Sequence, residues 1–459
     1  FCMSFFFQIP DSHLEGFSVY YFNDTKPSHT YFDRGAGLSD TDFILYVTSS
    51  SSDLCNPHKT SALAYASYCQ LGEFNRPVAG QVNFCPRNIK AQKFDKELLY
   101  ITSVHELLHA LGFSSKLFDK FMKCENGECQ PWPKKVLSVK EGKMRLVTDA
   151  VVREMRNHFN CTSQAQFGGP LEIVKGKATS HWDPYLMYSS IMGSKEQKPY
   201  ATVIDRISLA VFEDSGWYEV QYSMSDPFQW GKNQGCEFGN QDSCDTQEGF
   251  CSKNLTGCHH LHLSKARCNV DSTSLKCGIF GADQTPCFQR PVNGSPSWDE
   301  SFLPYSRCFM SNISLIDAHF EQRALTLEAS PKCYETKCKE TNYDIRLEGG
   351  DWISCPSGSQ TKIPPYQGYV QCPRYEVICA DVTQRRVQQS KDAALTNTHV
   401  VTSATTEVFT DASLPMAKNR GGKIISAFPY KWQPHLFYIS HIFFTLLNIF
   451  ISSLCCNIS

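Results

Sequence analysis

Thirteen cysteines between Cys236 and Cys379, spaced mostly six to twenty residues apart, constrain this chain more than any other feature. The full chain holds 22 cysteines and no CxxC pair. The tightest spacings are Cys124/Cys129 and Cys333/Cys338, apart from the adjacent Cys455 and Cys456. Structural zinc ribbons need tightly paired thiolates, so that reading fails. Many cysteines without metal spacing imply disulfides and an oxidising compartment. Asn-x-Ser/Thr acceptors at Asn23, Asn160, Asn254, Asn293 and Asn312 point the same way, to a glycoprotein of the secretory pathway.

A chain of 459 residues implies two to four domains, and 41% hydrophobic residues suffice for a buried core. The net charge of -2, without long basic runs, excludes a nucleic-acid partner. "DFILYVTS" (42–49), "SALAYASY" (61–68) and "AGQVNFCP" (79–86) read as strands between loop residues. "DKELLYITSVHELLHALG" (95–112) reads as a helix with Asp95 as N-cap and Gly112 as its stop. "TDAVVREMRNHF" (148–159) and "VIDRISLAVFEDSGW" (203–217) read as two more. The fold class is α+β, followed by a loop-rich, disulfide-held C-terminal module.

Within the first helix stands HExxH. His105 and His109 are one turn apart and project from the same face, so both imidazoles can reach one metal ion. Glu106 is rotated off the metal, where a general base must stand to deprotonate the attacking water. Gly112 extends the pattern to HExxHxxG, the opening of the metzincin signature, and supplies a residue tolerant of positive φ for a sharp turn. The third histidine expected six residues after His109 is missing, because Ser115 occupies that position. A gluzincin would instead take a glutamate from a following helix, and Glu154 is the candidate. Two histidines remain before the cysteine-rich module. His158 falls inside the second helix, where a surface or packing role is expected. His181 lies in a stretch with no regular period, read as a loop, and is followed by Met187 and Met192.

"HELLHALGFS", then "TSHW" after a long insertion, then "SSIM" and "RISLAVFEDSGWY", resemble leishmanolysin-type (invadolysin-like) zinc metallopeptidases of the metzincin clan. The resemblance reaches back to "DTDFILYVTS" and "VAGQVNFCP" and forward to "PKCYETKC" and "YQGYVQCPRYEVIC", covering most of Ile9–Asp381. It implies a metzincin-like catalytic domain, a twisted sheet with an active-site helix, and one catalytic Zn²⁺. The ligands it implies are His105, His109 and His181, with Glu106 as the base and Met192 as the Met-turn residue. It further implies hydrolysis of protein or peptide substrates, with cell adhesion or binding of extracellular-matrix proteins as the alternative role.

On this basis 1–115 is the N-terminal catalytic subdomain, and 116–225 carries the insertion, the third ligand and the Met-turn. The cysteine-rich domain is 226–384, a Ser/Thr-rich stalk 385–433, and a hydrophobic tail 434–459. The uncharged run Leu436–Leu454 is short for a spanning helix of ~20 residues. It reads as a glycolipid-anchor signal, a membrane span or a buried helix, so anchoring at the cell surface is an expectation. "FCMSFFF" is not a complete signal peptide, and the family's propeptide is expected upstream.

Overall fold

The computed structural model describes residues 17–19, 29–31, 41–56, 58, 62–89, 95–125, 128–140, 142–164, 167–195, 197–239, 247–252, 255–270, 278–291, 297–314, 328–379, 424–427 and 454–455. Asn23, Asn254, Asn293, Cys2 and most of the stalk and tail lie outside them. The chain divides into two units, Phe1–Lys135 with Phe212–Gln221 and Ser403–Ser459, and Val136–Val211 with Tyr222–Thr402.

In the first unit β1 (Phe43–Ser49), β2 (Ala64–Leu71) and β3 (Pro77–Phe84) form a sheet with the strand Ile424–Ala427. The order is Ile424–Ala427, β1, β3, β2. β1 pairs parallel with both neighbours, and β2 runs antiparallel to β3. β3 is buried almost throughout, which explains why its sequence shows no polar alternation. Of its two large polar side chains, Gln81 and Asn83, both buried, Asn83 Oδ1 accepts from Thr48 Oγ1 at 2.8 Å and from the Ser50 N–H at 2.9 Å. The Cys55–Cys85 bridge ties the strand end to the preceding loop.

Helix α1 (Lys96–Leu111) packs its Leu99, Val104, Leu107 and Leu108 face inward. Asp95 caps it, its Oδ1 accepting from the Leu98 N–H at 2.9 Å. The helix lies so close to β3 that a Cβ at Gly80 would sit 2.9 Å from that of Ala110, so only glycine fits there. Gly112 ends the helix at φ +136°. Trp217 packs against it, donating from Nε1 to the Phe74 carbonyl at 2.8 Å. Tyr218 donates to the Leu111 carbonyl at 2.8 Å, satisfying one of the groups a helix end leaves open. Strands β4 (Met122–Glu125) and β5 (Glu128–Pro131) follow as a hairpin bridged by Cys124–Cys129.

The second unit opens with a four-stranded antiparallel meander of β6 (Leu137–Lys140), β7 (Lys143–Leu146), β8 (Gly169–Val174) and β9 (Lys177–Trp182), in the order β9-β8-β7-β6. Between β7 and β8 runs helix α2 (Asp149–Phe159), closed by Asn160 in the left-handed region. Helix α3 is Arg206–Asp214, shorter at both ends than its sequence suggests. Asp205 caps its start, Oδ1 accepting from the Ser208 N–H at 2.8 Å, so the apolar residues before it belong to an extended segment.

The cysteine-rich part is more regular than its weak periodicity implies. It contains a four-stranded sheet over Phe250–Pro286 and a six-stranded sheet over Ser306–Gln371, both antiparallel. Its strands are short, which hides their period-2 signal. Phe309, Tyr334, Tyr343 and Ile345 make the core of the larger sheet. Among the described residues, six disulfides hold this unit: Cys161–Cys236, Cys251–Cys268, Cys258–Cys308, Cys287–Cys333, Cys338–Cys379 and Cys355–Cys372. The architecture is thus mixed helix and sheet, dominated by sheet. Among the described residues no helix is long and apolar enough to cross a membrane.

Candidate metal centre

One turn of α1 brings the Nε2 atoms of His105 and His109 to 3.1 Å. The tautomer of His109 is set locally, because its Nδ1–H donates to the Phe113 carbonyl at 2.8 Å and leaves Nε2 as an electron-pair donor. That carbonyl is available because Gly112 turns the chain back towards the helix.

Glu106 points from the same turn into the interior and is only 6% exposed. One side of its carboxyl accepts the Ala66 N–H of β2, while Oε2 is buried without a partner. Burial pushes its pKa up to about 8, against the pull of that hydrogen bond. A buried carboxylate oxygen with no donor is costly unless something completes it.

His181 is on β9, not in a loop as its sequence suggests. The chain reverses between β8 and β9 at Lys175 and Gly176, with φ of +51° and +75°. Two successive positive φ values make the tight turn whose twist suits a two-residue hairpin. The register shift between Leu171 and Ile173 obscures the alternation that would have marked the pair as strands. His181 Nδ1 lies 3.8 Å from Glu172 Oε2 on the neighbouring strand. Thr179 donates to the same oxygen at 2.8 Å. Burial lowers the His181 pKa, opposed by the Glu172 charge, so the ring favours the neutral, metal-binding form.

The ligand nitrogens of His105, His109 and His181 all lie within 4.8 Å of one another, and among the described residues no other such triad occurs. Three imidazoles are a donor set suited to Zn²⁺.

The rival ligands are engaged elsewhere. Glu154 is buried and accepts from Arg206 Nε at 2.8 Å and Arg153 Nε at 3.0 Å. His158 donates to the Trp230 carbonyl at 2.7 Å and stacks on Phe228. Met192 and Met187 are both fully buried, at the two ends of a tight loop. The Ser190 N–H donates to the Met187 carbonyl and the Gly193 N–H to the Ser190 carbonyl, each at 3.0 Å. The Met192 carbonyl accepts from the Trp182 N–H at 2.9 Å, which joins this loop to the strand carrying His181. Sequence reasoning passed over Phe113 and Glu172, since a backbone acceptor and a cross-strand carboxylate carry no local motif.

The sequence model described as leishmanolysin matches residues 27–279 and 273–385. The chain is 35% identical to the "Ciliated left-right organizer metallopeptidase" of Xenopus laevis, over 80% of this chain and 50% of that protein. The namesake from Mus musculus is 32% identical, over 82% and 56%. A "Leishmanolysin-like peptidase" of Caenorhabditis briggsae is 34% identical, over 50% and 39%. The chain spans about half the length of these curated relatives.

Proposed function

Since the chain belongs to the leishmanolysin family, we propose that it is a zinc-dependent endopeptidase hydrolysing peptide bonds of proteins. The observation that carries this reading is the triad of imidazole nitrogens within 4.8 Å of one another. His105, His109 and His181 would hold the ion, and Met192 is the Met-turn residue of a metzincin-like catalytic domain. When bound, zinc lowers the pKa of water towards 7 and polarises the substrate carbonyl.

The chain's own groups do the rest. Glu106 takes a proton from the attacking water on its unpartnered oxygen and returns it to the leaving amine. The Ala66 N–H holds the other side of the carboxyl and fixes its orientation. The Phe113 carbonyl fixes the ring of His109 through Nδ1, and the Glu172 carboxylate lies beside Nδ1 of His181.

The disulfides support a secreted or surface location. Asn160 is exposed at the end of α2 and suits glycosylation, whereas Asn312 is half-buried with Oδ1 accepting from the Tyr369 N–H. Membrane anchoring through the tail, adhesion and binding of matrix proteins belong to the same proposal. The test is cleavage of casein or gelatin by the purified chain, abolished by a chelator and restored by zinc. Cleavage that survives chelation sinks the metallopeptidase reading, and no cleavage at all favours an adhesive protein.

A further inference from the structure

A buried carboxylate joins, through two serine hydroxyls, the strand of His181 to the Met192 loop. Asp205 is fully buried, and a helix cap needs only one of its oxygens. Oδ1 provides the cap. Oδ2 accepts two hydroxyl protons, from Ser190 at 2.6 Å and from Ser208 at 2.8 Å. Both hydroxyls are thereby left with only lone pairs to offer. Ser208 Oγ accepts from the Trp182 indole Nε1–H at 2.8 Å, and Ser190 Oγ from the Met192 N–H at 3.3 Å. Trp182 follows His181 directly, and its own N–H donates to the Met192 carbonyl.

We propose that Asp205 is a positioning residue for the metal centre, orienting both hydroxyls so that the His181 strand and the Met192 loop are held as one rigid piece. The proposal rests on the reading of His181 as a zinc ligand. All five side chains, Asp205, Ser208, Ser190, Trp182 and Met192, are buried, so water cannot replace a lost partner. An amide at position 205 still caps the helix but presents N–H where two hydroxyls need an acceptor. The hydroxyls must then rotate, and each gives up an acceptor role towards Trp182 or Met192.

The experiment compares Asp205→Asn, Asp205→Ser, Ser190→Ala and His181→Ala in the purified chain. Zinc affinity is measured by competition with a chromophoric chelator, and the cobalt-loaded proteins are examined by visible absorption. Asp205→Asn and Asp205→Ser keep a good capping residue, and Ser190→Ala leaves the cap untouched. Each of the three should weaken zinc binding about tenfold, the lower end of what residues supporting metal ligands contribute, and alter the cobalt bands. Wild-type zinc affinity and cobalt bands in these variants would show Asp205 to be only a cap and overturn the proposal. Ser190→Ala decides alone if the changes at 205 prevent folding. His181→Ala separates the two levels: lost zinc there with normal affinity in the others rejects positioning only, whereas retained zinc rejects the ligand set as well.

Discussion

His158, bound to the Trp230 carbonyl, makes the fold sensitive to acid. Burial against Phe159 and Phe228 lowers its pKa from 6.5 to about 4; the Trp230 carbonyl opposes the shift and Lys232 adds to it. Between these values the unfolded chain holds a proton that the folded chain does not, so stability rises with pH across the window. The contribution is complete above the unfolded value and is lost as pH falls towards the folded one. At about 1.4 kcal/mol per unit, the whole loss is about 3 kcal/mol, of which about 2 is gone by about pH 5. His158→Gln keeps an N–H for Trp230 and cannot titrate. Urea unfolding of both proteins at several pH values between about 7 and 4.5 isolates the term, because the other buried histidines cancel in the difference. The stability gap between wild type and variant should move by about 2 kcal/mol in the variant's favour from neutral pH to about pH 5. A gap that does not change with pH refutes the argument.

Glu106→Ala should retain zinc and lose activity by at least ~10²–10⁴-fold, because the ligands remain and the proton acceptor is gone; near-normal turnover would remove Glu106 from the mechanism. His181→Ala should lower zinc content and activity together, while Glu154→Ala leaves metal content unchanged, checked by elemental analysis of the purified variants. Native protein should present almost no free thiol between Cys55 and Cys379 to a thiol reagent. Mild reduction should lower the thermal midpoint sharply, since each lost bridge typically costs ~2–5 kcal/mol.

Helix α1 was legible because its signals are local: Asp95 caps, Gly112 stops, and the apolar residues recur at helical steps. The pairing of His105 with His109 follows from the same periodicity. His181 was legible only as a residue, not as a strand position, because the hairpin is declared by Lys175–Gly176, a pair with one non-glycine residue at positive φ. The sequence overstates the length of α3 because Asp205, its cap, stands in the middle of an apolar run. The hydrogen bonds of Asp205 and of its partners Ser190 and Ser208 reach residues 182 and 192, and no local pattern announces contacts at such separations. The cysteine module was legible as disulfide-bonded, but neither its pairing nor its sheets follow from spacing alone.

The hairpin under His181 limits how this part of the chain can change over time. Side chains on a strand alternate between faces, so a shift by one position exchanges His181 with Ser180 or Trp182. Trp182 pairs with Leu171, and Val174 with Lys177, across a two-residue turn. Single-residue insertions or deletions between Lys177 and Trp182 therefore turn the imidazole to the wrong face, while steps of two preserve it. The loops elsewhere between Gly112 and β8 carry no such parity. Homologous chains can thus differ freely in the length of that insertion, yet keep the reading frame of its last strand.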